Sequence, residues 1–154
     1  MEISRANEED LQEILNLQYL AYQSEAKLFN SSDIPPLKQT IYEVREEFHK
    51  GIILKAVDDG VIIGSVRAYC EDETVYIGKL MVHPIQQRKG IGTRLLSKIE
   101  KYYPNKRYEL FTSTRSVNNI LMYEKLGYIA FKEKRINDEL KFIYLEKNKF
   151  EFGV

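Results

Sequence analysis

The 154-residue chain has one cysteine, no tryptophan, two histidines and four prolines. A single cysteine, Cys70, closes no disulfide within the chain and offers no thiolate cluster to a metal. His49 and His83 lack an HxxxH or HExxH partner, so no structural or catalytic zinc is expected. Charge of one sign is lacking too: 23 lysines and arginines balance 23 aspartates and glutamates. Without net charge there is no global field toward nucleic acid or an anionic membrane. No apolar run approaches the roughly 20 residues that span a bilayer. The start, "MEISRANEEDLQEIL", is acidic and helical and does not read as a signal peptide. The expectation is one soluble, cytoplasmic domain over residues 1–154, with no metal, membrane or nucleic-acid partner.

What is present alternates between two periodicities. Residues 2–6 read as a short strand. Asn7 is a good N-cap, with Asp10 three positions on, and Leu11, Ile14, Leu15 and Leu20 suggest an amphipathic helix of some four turns. "NSSDIPP" is a loop by composition, and a second helix is expected over Leu37–Lys50, closed by Gly51. "IILKAV" and "VIIGSVRAY" flank Asp58-Asp59-Gly60, a strong hairpin signal, and "EDET" turns the chain into a third strand, "VYIGKLMV". Cys70, at the end of the second of these strands, is expected to be a small buried hydrophobe. Ile91, Leu95, Leu96 and Ile99 then share a helical face that ends before Pro104. "YELFTS" is a strand and "VNNILMYEKLG" a short helix with glycine at its end. "YIAFKEK" and "LKFIYLEK" form a closing strand pair around Asn137-Asp138.

The order β-α-α-β-β-β-α-β-α-β-β predicts an α/β (α+β) fold. It is a single domain with a mixed, mostly antiparallel sheet of about seven strands, flanked by about four helices on both faces.

One stretch breaks the helical rules. In "HPIQQRKGIGTRLL", two glycines open a helix, although glycine is a poor helix former. The first amides of a helix have no intrahelical partner and lie at the positive end of its dipole. An anion fits there, and glycine lets it approach bare backbone. Arg88 and Lys89 add two cations at the rim. The stretch reads as a pyrophosphate cradle between strand and helix. It is neither a P-loop, which needs GxxxxGK[S/T], nor the dinucleotide fingerprint, since no third glycine follows Gly92.

With "LMVHPIQQRKGIGTRLL" upstream and "NNILMYEKLGY" about thirty residues later, the chain resembles the GNAT superfamily of N-acetyltransferases. Leu80, Val82, Pro84, Gln87, Gly90 and Gly92 match the first family motif. Asn119, Met122, Tyr123, Glu124, Lys125, Leu126, Gly127 and Tyr128 match the second, with Met122 in place of the commoner leucine. The order of elements matches over essentially the whole chain.

The resemblance implies acetyl-CoA as co-substrate and acetyl transfer to a primary amine, of a small molecule or a peptide, by direct attack in a ternary complex. It implies that the backbone of Gln87, Arg88, Lys89, Gly90, Ile91, Gly92 and Thr93 holds the pyrophosphate. Leu80, Met81 and Val82 would line the pantetheine arm, with one amide aimed at the thioester carbonyl. Asn119 would contact the cofactor. Tyr123, protonated at neutral pH, would give its proton to the departing CoA thiolate. Glu71 and Glu73 are candidates for the base, His83 a weaker one. Acceptor recognition would fall to Tyr19–Glu47, where Tyr22, Glu25 and Asp33 stand beside Tyr19 and Tyr42. Carboxylates beside aromatics would suit a cationic amine. Glu43, Glu46 and Glu47 read as a solvated helix face. A module that senses acyl-CoA without turnover is the alternative, and a homodimer stays open.

Overall fold

The computed structural model describes residues 1–28 and 34–148. Seven strands form one sheet: β1 (Glu2–Arg5), β2 (Ile52–Asp58), β3 (Val61–Glu71), β4 (Thr74–Val82), β5 (Arg107–Ser113), β6 (Ile129–Arg135) and β7 (Lys141–Asn148). Their spatial order is β1-β2-β3-β4-β5-β7-β6. All neighbours are antiparallel except β4 and β5, which are parallel. Four helices accompany them: α1 (Leu11–Leu28), α2 (Ile41–Lys50), α3 (Ile91–Tyr102) and α4 (Val117–Lys125). This is the expected mixed α/β architecture. No helix among the described residues is long and apolar enough to cross a membrane.

Local chemistry fixes the ends of these elements. Asn7 and Asp10 form a reciprocal capping box that starts a short 3-10 turn, and α1 follows without a break. That helix runs 18 residues, longer than its apolar spacing suggested. Leu17 and Gln18 are buried in it and Leu20 is 41% exposed, so its inner face turns earlier than the sequence reading placed it. The second helix also starts later than Leu37. Pro35–Leu37 make their own 3-10 turn, and Thr40 with Glu43 forms a second capping box that sets the true start at Ile41. The β2–β3 hairpin turns at Asp59 and Gly60, both left-handed (φ 52° and 77°), as a type I′ turn requires.

The sheet is covered on both faces over β1–β4. Leu11, Ile14, Leu15 and Leu17 of α1 and Val44 of α2 pack on Ile53, Ile62 and Met81. On the other face, Ile91, Leu95, Leu96 and Ile99 of α3 pack on Leu54, Val66, Val75, Leu110 and Leu145. Double coverage explains why Ile62–Ala68 is buried without interruption. Ile52, opposite Ala68, is the last β2 residue paired with β3, so β3 runs on without a neighbour on that side. Cys70 lies on this overhang and is exposed, which corrects its expected burial. Where the chain leaves α2, Gly51 sits against β3: a Cβ there would lie 2.0 Å from the Ala68 carbonyl oxygen.

Candidate active site

The parallel pair at the centre of the sheet comes apart. β4 and β5 pair only at Thr74–Arg107, Val75–Tyr108 and Tyr76–Glu109. Beyond Tyr76 the two strands have no paired residues, and a gap opens toward the end of the sheet where α3 begins. Toward β3, the same stretch of β4 carries a β-bulge: Gly78 faces Arg67 and Met81 faces Ser65, so Lys79 and Leu80 together oppose Val66. Lys79 takes the left-handed conformation, φ 51°, uncommon for a residue with a side chain.

The glycine stretch lies at the mouth of this gap. β4 continues to His83, whose amide donates to the Ile63 carbonyl at 2.8 Å. The His83 Nδ1 accepts from the Ile85 amide at 3.2 Å, which ties it to the turn Pro84–Gln86. Arg88 and Gly90 are both left-handed (φ 66° and 80°). Gly90 is the N-cap of α3, no side chain caps this helix, and the Arg94 amide makes the first bond back, to the Gly90 carbonyl. Within 4 Å of a Cβ placed on Gly90 there is no atom. The Cβ position of the residue that starts α3 thus lies in open space, with the exposed Arg88 and Lys89 next to it in the chain. The Lys89 Nζ donates to Gln86 Oε1 at 3.0 Å, and Gln87 Nε2 donates to the Val82 carbonyl at 3.4 Å. Gly92 has another surrounding: its Cβ position faces Met122 Sδ at 3.4 Å and Val82 at 3.9 Å. Its bareness serves the close approach of α4 to α3.

Groups from the two faces of the sheet influence one another electrostatically. Tyr22 packs with the α1/α2 cluster, whereas Tyr123 belongs to the α3/α4 cluster. Burial raises the pKa of both hydroxyls, and the charge of Glu25 raises both further. The Tyr22 hydroxyl also feels Tyr123, Arg67 and Glu47. Glu25 accepts a hydrogen bond from Ser116 Oγ at 3.0 Å. Desolvation lifts its carboxyl above the ordinary glutamate value, and the Ser116 bond only partly opposes this. Asn119 stands partly exposed on the first turn of α4.

Several sequence candidates lie elsewhere. Glu71 and Glu73 belong to the β3–β4 turn, exposed and at the far end of β4 from the glycines. Eight steps along the strand, about 26 Å at 3.3 Å per step, separate Thr74 from Val82. Glu73 pairs there with Lys106 at 2.6 Å. Neither joins the site, because the hairpin carries them away from it. Tyr42 is 71% exposed on α2. The Tyr19 hydroxyl donates to the Gln39 carbonyl at 2.5 Å. Asp33 lies outside the described residues.

Other residues at the site went unnoticed in sequence. Arg67 on β3 is 5% exposed. Its guanidinium donates to Glu47 Oε2 at 2.7 Å, Gln39 Oε1 at 3.0 Å and Gln18 Oε1 at 2.6 Å. Lys79 Nζ lies 3.7 Å from the other Glu47 oxygen. Glu47 is thus the hub of a buried network, not part of a solvated face. Burial alone would raise its pKa; the charges of Arg67 and Lys79, with hydrogen bonds from Gln39 and Arg67, outweigh that and hold it below the ordinary range. No group of three His, Cys, Asp or Glu side chains among the described residues could hold a metal ion.

Known structures share this architecture. PaiA N-acetyltransferase from Thermoplasma acidophilum, solved with coenzyme A, superposes with a TM-score of 0.81 over 96% of this chain and 98% of that one, at 17% identity. The ribosomal-protein-S18-alanine N-acetyltransferase from Escherichia coli gives 0.79 over 96% and 92%, at 15% identity. YncA from Salmonella typhimurium, solved with its cofactor acetyl-CoA, gives 0.74 over 96% and 93%, at 16% identity. At such identities the likeness is one of fold. A search of curated proteins gives no match. The family model for acetyltransferase (GNAT) matches residues 9–128, a span that runs from the start of α1 through both motifs to Tyr128. The chain belongs to the acetyltransferase (GNAT) family.

Proposed function

We propose that this protein transfers an acetyl group from acetyl-CoA to a primary amine by direct attack in a ternary complex. The observation that supports the reading is the parting of β4 from β5 beyond Tyr76, on the strand that leads to the uncapped start of α3, and Glu25 acts electrostatically on both Tyr22 and Tyr123. Acetyl-CoA, when bound, supplies a thioester that an amine can open, with the thiolate as leaving group. The residues present fit such a molecule: open space beside Gly90 meets helix-start amides and two cations, a setting for a pyrophosphate.

In this reading the amides of Gly90, Ile91, Gly92 and Thr93 bind the phosphates, with Gln87 shaping the turn and Arg88 and Lys89 adding charge. The free side of β4 at Leu80, Met81 and Val82 offers backbone groups to the pantetheine arm, one amide serving as oxyanion donor. Asn119 holds the cofactor from α4. Tyr123 keeps its proton at neutral pH, because burial and Glu25 both disfavour its anion, and gives it to the leaving thiolate. We assign the removal of the amine proton to Glu25, directly or through water. A carboxyl with a raised pKa is a better base near neutrality than an ordinary one.

Calorimetric titration with acetyl-CoA tests the cradle. Binding to the wild type is expected to weaken by about tenfold or more in Arg88→Glu/Lys89→Glu, two exposed charge reversals worth about 1 kcal/mol each at most in such surroundings. A wild type that binds no acetyl-CoA defeats the reading.

A further inference from the structure

The α1/α2 side of the gap is bipolar. At one pole Glu25 acts on Tyr22 and Tyr123, where the reacting amine would stand. At the other pole Arg67 and Lys79, two cations, share one carboxylate among the described residues, Glu47. The Tyr22 hydroxyl couples electrostatically to both poles, to Glu25 and Tyr123 as well as to Arg67 and Glu47. Glu43 acts on Lys79 more weakly, and its Oε1 is already engaged by the Thr40 amide and hydroxyl.

Among the described residues the positive pole has more cations than close carboxylates. Arg67 spends its terminal nitrogens on Glu47, Gln39 and Gln18, yet its Nε is buried without a hydrogen-bond partner among the described residues. The guanidinium holds Glu47 at 2.7 Å, which leaves Lys79 a contact of 3.7 Å. Lys79 keeps 27% of its side chain exposed and stands in the bulge, beside the parted strands. Its left-handed backbone belongs to the bulge, a device that re-aims a side chain away from its regular strand direction. Burial and the Arg67 charge together disfavour its ammonium more than Glu47 favours it. One added anion would relieve both cations. Among the described residues two cations face Glu47 closely and Glu43 only weakly, which favours an added monoanion and disfavours a polycation such as a polyamine.

We propose that the acceptor is a primary amine that also carries a carboxylate, an amino acid or a close relative, and that Lys79 binds this carboxylate while Arg67, fixed by Gln18, Gln39 and Glu47, positions the site. The assignment rests on the acetyltransferase reading above and narrows it.

The test is calorimetric titration of N-acetylated amino acids, from N-acetylglycine to 6-acetamidohexanoate, each beside its carboxamide, into protein saturated with CoA. Titrating products needs no turnover. At least one carboxylate is expected to bind about tenfold tighter than its amide, the effect of one partly desolvated charge pair. That preference disappears in Lys79→Met and returns in Lys79→Arg. Equal affinities, no binding of either form, or a preference that survives Lys79→Met would each overturn the assignment. A parallel run without CoA separates this from the parent reading. Failure of acetyl-CoA to bind, with carboxylate preference intact, would remove the acetyltransferase and leave the anion site.

Discussion

Glu25, near the end of α1, accepts a hydrogen bond from Ser116 at 3.0 Å, joining residues 91 positions apart. Ser116 is the N-cap of α4, yet its hydroxyl makes no capping bond to that helix. A serine that gives up its capping bond to hold a desolvated carboxylate is working for the site more than for the helix.

Glu25 should therefore trade stability for activity. Its folded pKa lies above the ordinary value, so the folded protein binds this proton more readily than the unfolded chain. Its favourable contribution is present below the unfolded value and is lost as pH rises through the folded one. Glu25→Gln is expected to raise the melting temperature at pH 7, with the gain shrinking toward pH 4.5, and to lower kcat by about tenfold or more. Thermal melts across that range check the first part, and steady-state CoA release the second.

Tyr123→Phe is expected to lower kcat about tenfold or more and to leave KM for acetyl-CoA within about twofold. The ring stays in its place beside Tyr128, 6.1 Å between centroids, so urea midpoints should move little. An unchanged kcat at saturating substrates would take the acid role from Tyr123.

Arg67→Ala removes the centre of the buried network and leaves Glu47, Gln39 and Gln18 without their shared donor. The expected loss is about 2–3 kcal/mol by urea denaturation, because Gln18 is left buried without its charged donor while Glu47, one-third exposed, keeps Lys79. Glu47 adds an acid limit in the wild type. Its pKa is held below the ordinary value, so its stabilisation is present above that value and fades as pH falls through the folded one. The fading should be absent in Glu47→Gln.

Two glycines separate backbone crowding from backbone freedom. Gly51→Ala would press a methyl group against the Ala68 carbonyl oxygen and should cost about 3 kcal/mol or more. Gly78→Ala meets no atom within 4 Å and should be neutral or stabilising by about 0.4–1 kcal/mol. Paired denaturation curves decide both.

Legibility followed sequence distance. Ile91, Leu95, Leu96 and Ile99 announce their helix because one helical face needs only local spacing, and all four are buried. Asp59-Gly60 announces its hairpin because the turn chemistry is contained in the pair. Gly90 could be read as a helix opening for an anion, but the Cβ position of Gly92 faces Met122, a contact set by how α4 returns. Arg67 gave no signal, since its partners Glu47 and Gln18 lie 20 and 49 positions away. The same holds for the placement of Glu71. Only the register of β3 with β4 shows that the turn carries it away from the glycines. Lys79 was hidden for another reason: nothing in "YIGKLMV" marks the bulge that turns it.

The three-residue seam between β4 and β5 also divides the molecule in time. One side holds β1–β4 with α1–α3, the other β5–β7 with α4, and strand pairing crosses between them only at Thr74–Tyr76. Amides of β4 beyond Tyr76 that face the gap have no strand to shelter them from solvent deuterium, so they should exchange far sooner than those of β3 at the sheet centre. A molecule lying in the gap as an extra strand would close that difference, and the exchange rates of these few amides would register its arrival before any product forms.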